Sequence, residues 1–234
     1  MHKTITAIIP AFNEGKNIRI VLLVLEKAQT LNIVNEVVVV DDGSEDNTSK
    51  EALRFNAKVL KLTENKGKAR AMAEGLKVAT GEICLFLDAD LTNLKVEHMS
   101  SLIKSAQKNR ECMSIAKFTN GRIGTDIAHT INTSCSGQRA AKTEIFKQIF
   151  KTIRRINKVK YGIEYVISSR IKDFNIEPLV VEWEGVSQIR KEEKWGFLKG
   201  SYLRIRMYIS MNLGHLRNFF YRLFKMLNTK EVSD

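Results

Sequence analysis

Glu36-Val37-Val38-Val39-Val40-Asp41-Asp42-Gly43-Ser44-Glu45-Asp46 is the stretch on which the fold turns. The β-branched run Glu36–Val40 is too short and too apolar for anything but a strand buried on both faces. Carboxylates and a Gly-Ser turn follow at once. Upstream, Thr4–Ile9 is another short β-rich run, and Ile18, Val21, Leu22, Leu25 and Ala28 recur at helical spacing. Downstream, Thr48–Phe55 suits a helix and Lys58–Leu62 a third strand. Ala69, Met72, Ala73, Leu76 and Ala79 make a helix that Gly81 stops. Glu82–Leu87 reads as a fourth strand, and Val96, Met99, Leu102, Ile103 and Ala106 as a fourth helix. Met113–Phe118 reads as a fifth strand, followed by a loop to about Ser136. Helices over Glu144–Arg155 and Ile163–Ile171 and a late strand over Ile176–Trp183 complete the series. Strand–helix alternation of this kind predicts an α/β fold, a mostly parallel sheet with helices on both faces.

The polar residues fall in one pattern. Pro10-Ala11-Phe12-Asn13-Glu14, Asp41–Asp46, Asn65-Lys66-Gly67-Lys68 and Asp88-Ala89-Asp90 each follow the carboxyl end of an expected strand. In a parallel sheet those ends share one edge, where open α/β proteins bind ligands. Residues i and i+2 of an extended segment point the same way, so Asp88 and Asp90 can face one cation. Such a pair suits Mg²⁺ or Mn²⁺, which take one or two carboxylates together with phosphate oxygens and water. The alternative is that Asp90 caps a turn or the next helix. Asp41-Asp42-Gly43-Ser44 is either a tight turn or a carboxylate cluster that accepts hydrogen bonds from a base or ribose. Lys66-Gly67-Lys68 lacks the spacing of a Walker sequence and also reads as a solvated basic loop.

The chain has 234 residues, 44% apolar and 27% charged, a globular composition. Cys84, Cys112 and Cys135 have no ligand-like spacing, and Cys84 lies in an apolar run, so a reducing, intracellular setting is expected. The opening run to Pro10 and Asn13 is too short for the apolar region of a secretory signal. The most membrane-like stretch, between Arg206 and Arg217, holds 10 uncharged residues, too few to cross a bilayer. His2, His98, His129 and His215 are not placed as obvious ligands.

The net charge of +12 is uneven. Residues 1–138 carry 18 Lys and Arg against 16 Asp and Glu, whereas residues 139–234 carry 20 against 10. A near-neutral body is thus followed by a surface for an anionic partner. From Leu213, Leu216, Phe219, Phe220, Leu223, Phe224 and Leu227 share one helical face, with Arg217, Arg222 and Lys225 opposite. Gly214 is a plausible hinge. Such a helix suits an anionic membrane interface, at about 1 kcal/mol per basic residue. The alternative is a helix packed on the body, or a dimer contact.

Ile8-Ile9-Pro10-Ala11-Phe12-Asn13-Glu14, Val40-Asp41-Asp42-Gly43-Ser44, the Lys66–Gly75 segment and Phe86-Leu87-Asp88-Ala89-Asp90 resemble glycosyltransferase family 2, which has the GT-A fold. The likeness continues more weakly through Ser136-Gly137-Gln138-Arg139-Ala140 and Tyr161-Gly162-Ile163-Glu164. It implies a nucleotide-sugar donor, a UDP-sugar favoured, with Pro10, Ala11, Asn13, Glu14, Asp41 and Asp42 around the nucleoside. Lys68, Asp88, Ala89, Arg190 and Lys194 would line the rest of the donor. Asp88 and Asp90 would hold Mg²⁺ or Mn²⁺, with Gln188 standing where some GT-A enzymes have a third ligand, a His. Arg139 would sit near the acceptor or the diphosphate. Glu164 matches the family's position for a general base, which a hydroxyl acceptor needs and an ionised lipid phosphate does not; the alternative is a surface Glu.

The resemblance thus implies a metal-dependent, inverting glycosyltransferase on the inner face of the cell membrane, with a lipid, polyprenyl phosphate or lipid-linked glycan as acceptor. Residues 1–196 would form its catalytic domain, with a donor half to about 118 and an acceptor half beyond, and residues 197–234 a basic amphipathic tail. Two alternatives are a retaining transferase to a small phosphorylated acceptor, similar to glucosyl-phosphoglycerate synthases, and a non-catalytic nucleic-acid-binding protein. The aromatic residues of the tail share a face with Leu instead of forming a stacking platform, so nucleic acid is not the expected partner.

Overall fold

The computed structural model describes residues 3–108, 111–120, 136–154, 156, 159, 162–189, 191–198, 200–202 and 205. In chain order these give β1 (Ile5–Ala11), α1 (Ile18–Thr30), β2 (Glu36–Asp41), α2 (Thr48–Ala52), β3 (Lys58–Lys61), α3 (Lys68–Val78) and β4 (Ile83–Phe86). Then come β5 (Leu91–Thr92), α4 (Val96–Gln107), β6 (Cys112–Thr119), β7 (Arg139–Lys142), α5 (Thr143–Lys151) and α6 (Ile163–Asp173). β8 (Glu177–Glu184), β9 (Ser187–Gln188) and α7 (Lys191–Trp195) follow.

Seven strands form one sheet in the order β3-β2-β1-β4-β7-β6-β8. All neighbours pair parallel except β7, which runs antiparallel to both β4 and β6. The mostly parallel α/β sheet expected from the alternation is therefore present, with one reversed strand inside it. Arg-Ala-Ala-Lys carries no β-branched residue, which is why β7 has no signal of its own. β5 and β9 are two residues each and form a separate antiparallel pair.

Strand alternation divides the core. Ile5, Ala7, Ile9, Val37 and Val39 face the stripe Ile18, Val21, Leu22, Leu25 and Ala28 of α1 and the buried face of α4. Ile8, Val38, Val40, Cys84 and Phe86 face α3, α5 and α6. Cys84 is a core residue beside the Thr143 hydroxyl, and burial pushes its thiol up to about 11. His98, in the first turn of α4, lies against Trp183 near the carboxyl end of β8, with ring centroids 5.5 Å apart. The amphipathic pattern from Leu213 onward, Cys135, Tyr161, Arg190, His2, His129 and His215 lie outside the described residues.

Candidate active site

Because β1, β2, β3 and β4 are parallel, the segments that follow them emerge at one rim, and hydrogen bonds tie them together in sequence. The loops after β1 and β2 are joined first. Asn13 N–H donates to Ser44 Oγ (2.8 Å), Glu45 N–H to Asn13 Oδ1 (3.0 Å), and Glu14 N–H to Thr48 Oγ1 (2.8 Å). Asn13 has φ 55°, a left-handed conformation that Asn tolerates because its short amide can hydrogen-bond locally.

The loop after β2 is tied in turn to the start of α3. Asp42 accepts Lys66 N–H (2.9 Å) and Gly67 N–H (2.7 Å) on its two oxygens. Burial raises the Asp42 carboxyl, and those two N–H groups oppose it. Gly43 turns this corner at φ 73°, where a Cβ would lie 2.6 Å from the Glu64 carbonyl carbon. Asp41 is set further back. It is fully buried, accepts Ser44 N–H (2.8 Å) and is bonded to the Ser49 hydroxyl. Of the expected nucleoside contacts, Asp41 thus shapes the loop, and Pro10 and Ala11 are buried in β1, as is Ala89 among the residues expected along the rest of the donor.

Lys68, the first residue of α3, reaches the β4 end, with Nζ 2.5 Å from Asp88 Oδ1 and 2.5 Å from Glu164 Oε1. Asp88 Oδ2 also accepts Gln138 Nε2 (2.9 Å) and Gln188 Nε2 (2.6 Å). Burial alone would push the Asp88 carboxyl up. The Lys68 ammonium outweighs it, with help from Gln138 and Lys194, and holds it below the usual carboxylate range. Burial would likewise lower the Lys68 amine, but the charges of Asp88 and Glu164 raise it instead. Gly137 lies over this contact. A Cβ there would fall 2.7 Å from Asp88 Oδ2 and 2.8 Å from Lys68 Nζ, so only glycine leaves both where they are.

Lys194 closes the ring from α7. Its ammonium is bonded to Glu14, after β1, and lies 2.6 Å from Asp90 Oδ2, after β4. Burial would lower this amine; Asp90 and Glu14 together raise it. The Glu14 carboxyl is raised, first by burial and further by Asp90, against the pull of Lys194. Asp90 Oδ1 is buried and has no hydrogen-bond partner among the described residues.

That unpartnered oxygen makes the site fit a divalent cation. Among the described residues no three His, Cys, Asp or Glu side chains group as ligands. The available set is two carboxylates, Asp88 and Asp90, which suits Mg²⁺ or Mn²⁺ completed by diphosphate oxygens and water. Gln188 turns its amide nitrogen to Asp88 and so braces that carboxylate instead of presenting an oxygen, which departs from the ligand role expected for it.

One further placement differs from expectation. Arg139 is fully buried, and its guanidinium donates to the Ser136 carbonyl (2.8 Å) and to Ser168 Oγ (2.9 Å). It does not line the crevice; it lies on the core face of β7, beside Phe86 and Ile115 in register. Ser168 Oγ in turn donates to the Glu164 carbonyl (2.9 Å), so Arg139 steadies the helix that carries Glu164. Gln138 is the site residue that sequence reasoning missed. The β4–β7 register pairs Phe86 with Arg139, which brings Gly137 and Gln138 beside Asp88, and that register is not written in the local sequence.

Known proteins resemble this chain in the same region. The profile of the family described as Glycosyl transferase family 2 matches residues 6–169. Dolichyl-phosphate beta-glucosyltransferase of Mus musculus is 35% identical over 129 residues, covering 49% of this chain and 40% of that protein. Dolichol-phosphate mannosyltransferase of Pyrococcus furiosus is 31% identical over 122 residues, covering 50% and 34%. The matched region therefore spans less than half the length of these relatives. Among solved structures, glucosyl-3-phosphoglycerate synthase from Mycobacterium tuberculosis, in complex with Mn²⁺, uridine-diphosphate and glucosyl-3-phosphoglycerate, superimposes with TM-score 0.62. It is 19% identical and covers 80% of this chain and 72% of its own, a likeness of GT-A fold. A profile match over well more than half of the chain, laid on this sheet edge, shows that the chain belongs to glycosyltransferase family 2.

Proposed function

We propose that the chain transfers a sugar from a nucleoside-diphosphate sugar, a UDP-sugar favoured, to an acceptor at a membrane surface. One observation carries the donor half of this reading. Asp88 and Asp90 stand at the rim shared with Asn13 and Asp42, between two largely buried ammonium groups, with one Asp90 oxygen unpartnered. A Mg²⁺ or Mn²⁺ ion bound by Asp88 and Asp90 would neutralise charge on the departing nucleoside diphosphate. Lys68 and Lys194 add fixed positive charge at the same place, where it is more effective than in water because the site is partly enclosed. The loops built on Asp41, Asp42 and Asn13 receive the nucleoside.

Screening nucleoside diphosphates by thermal shift, with and without Mn²⁺, tests this. A ligand at about 100 times its Kd adds about 2.7 kcal/mol, or roughly 5–10 °C in Tm for a chain of this size. UDP with Mn²⁺ is expected to give that rise and UDP alone much less. Equal shifts with and without Mn²⁺ would remove the metal from the reading.

For the acceptor, the reading is a polyprenyl-type lipid phosphate, attacked with inversion at the anomeric carbon. The relatives named for dolichyl and dolichol phosphate support it. So do Phe197, Leu198, Tyr202 and Ile205, exposed large apolar side chains beside a basic stretch. Peripheral attachment to the inner face of the cell membrane goes with that reading; no helix of the described residues is long and apolar enough to cross a membrane. Glu164 bears on it chemically. Its Oε1 is ion-paired with Lys68, an arrangement that holds Lys68 against Asp88 and engages the carboxylate oxygen that would otherwise face an acceptor. A phosphate acceptor is already ionised at pH 7 and asks for no base. With polyprenyl phosphate in anionic vesicles, the protein is expected to float with the vesicles, and Glu164→Gln to lower kcat by less than about tenfold. A loss of roughly 10²–10⁴-fold is the signature of general-base catalysis on a hydroxyl and would reverse the acceptor assignment.

A further inference from the structure

We propose that Lys194 is the resident counter-ion of the cation site: it bridges Asp90 and Glu14 when no divalent ion is bound and must leave Asp90 for one to enter. The inference rests on the donor site proposed above and concerns how that site is loaded. Glu14 and Asp90 come from different strand ends, and their side chains are 12% and 19% exposed. Burial and the charge of Asp90 both disfavour an ionised Glu14, so the pair calls for a cation between them. A single ammonium, itself 13% exposed, serves both. The oxygen of Asp90 that Lys194 leaves unpartnered is buried, so the carboxylate is only half satisfied by its present occupant.

The other lysine of the site is less able to yield. Lys68 begins α3, an eleven-residue helix whose Ala69, Met72 and Leu76 are buried against the sheet. Lys194 belongs to a five-residue helix, followed by Gly196 at φ 78° with no atom of the described residues within 4 Å of where its Cβ would be. The strand before it stays anchored, because Leu91 pairs with Gln188 and Ile189 N–H donates to the Asp90 carbonyl (3.1 Å). A turn of the Lys194 side chain or of α7 can therefore free Asp90 without disturbing Gln188.

Once displaced, Lys194 lies beside the place where the diphosphate binds and finds a new anionic partner there. Cation and nucleotide then assist each other, and by linkage the assistance is reciprocal. With no nucleotide, the cation sees only the fraction of molecules in which Lys194 has swung away, and its apparent affinity is reduced by that fraction.

Counting free Mn²⁺ by electron paramagnetic resonance tests this on the full chain, with and without UDP. Lys194→Met is expected to bind Mn²⁺ alone about tenfold or more tightly than the unaltered protein, and the tightening produced by UDP to shrink. Lys194→Arg, which keeps the charge, is expected to bind Mn²⁺ alone as weakly as the unaltered protein. Lys194→Gln, which keeps a hydrogen-bond donor between the carboxylates, serves where the Met variant does not fold. UDP-dependent Mn²⁺ binding that persists while the neutral variants bind Mn²⁺ alone no better than the unaltered protein would overturn the counter-ion role and leave the donor site standing. Absence of Mn²⁺ binding in every form, even with UDP, would remove both.

Discussion

Asp90→Ala is expected to lower sugar transfer by about 10³-fold, with the fold intact. The reason lies in how this carboxylate is held. Its Oδ1 is buried without a partner and its Oδ2 touches Lys194, which keeps Glu14 when Asp90 is gone. Removing a half-satisfied charge from beside another carboxylate sacrifices little, since the desolvation it suffered is relieved together with the ion pair. The urea midpoint should therefore move by no more than about 1 kcal/mol equivalent. Activity has no such compensation, because Asp88 alone is left to hold a cation and its two oxygens are already shared among Lys68, Gln138 and Gln188. Initial rates measured against Mn²⁺ concentration check the point. A variant that keeps a tenth of the rate with undiminished Mn²⁺ dependence would overturn the metal role proposed for Asp90.

The segment that carries Asp90 is also the part of the site most legible in the amino-acid sequence. Asp88-Ala89-Asp90 stands out because the strand ahead of it is apolar, short and bounded, and because a parallel sheet sends every such end to one edge. The same logic places Asn13, Glu14 and Asp42 at the rim. It stops where contacts depend on register or on a returning segment. Gln138 reaches Asp88 through the reversed strand β7, whose four residues have no β signal. Gln188 reaches it through a two-residue pairing of β9 with β5, below the length at which periodicity exists. Lys194 can be named from its position after the late strand, but not its two partners, one of them 180 residues away. Nor does any spacing tell that Lys68 pairs with both Glu164 and Asp88.

Arg139 departs from its expected place for a related reason, and its substitution tests the correction. An arginine after Gly-Gln in a family motif invites a role beside a phosphate, yet its guanidinium is fully buried on the α3-facing side of β7. Burying a charged group is costly unless its donors are met. Here they meet the Ser136 carbonyl, Ser168 Oγ and, through Nη1, the Met113 sulfur 3.8 Å away. Arg139→Ala leaves a cavity and removes the guanidinium's hydrogen bonds to the Ser136 carbonyl and Ser168 Oγ. Together these are expected to lower unfolding free energy by about 3 kcal/mol, or roughly 6–12 °C in Tm. Below that Tm, the Kd for UDP with Mn²⁺ should stay within about threefold, because the lost contacts lie under α6 and not at the rim; in Asp90→Ala the pattern is the reverse. An Arg139→Ala protein with its Tm unchanged and its nucleotide affinity lost would put the guanidinium back in the crevice.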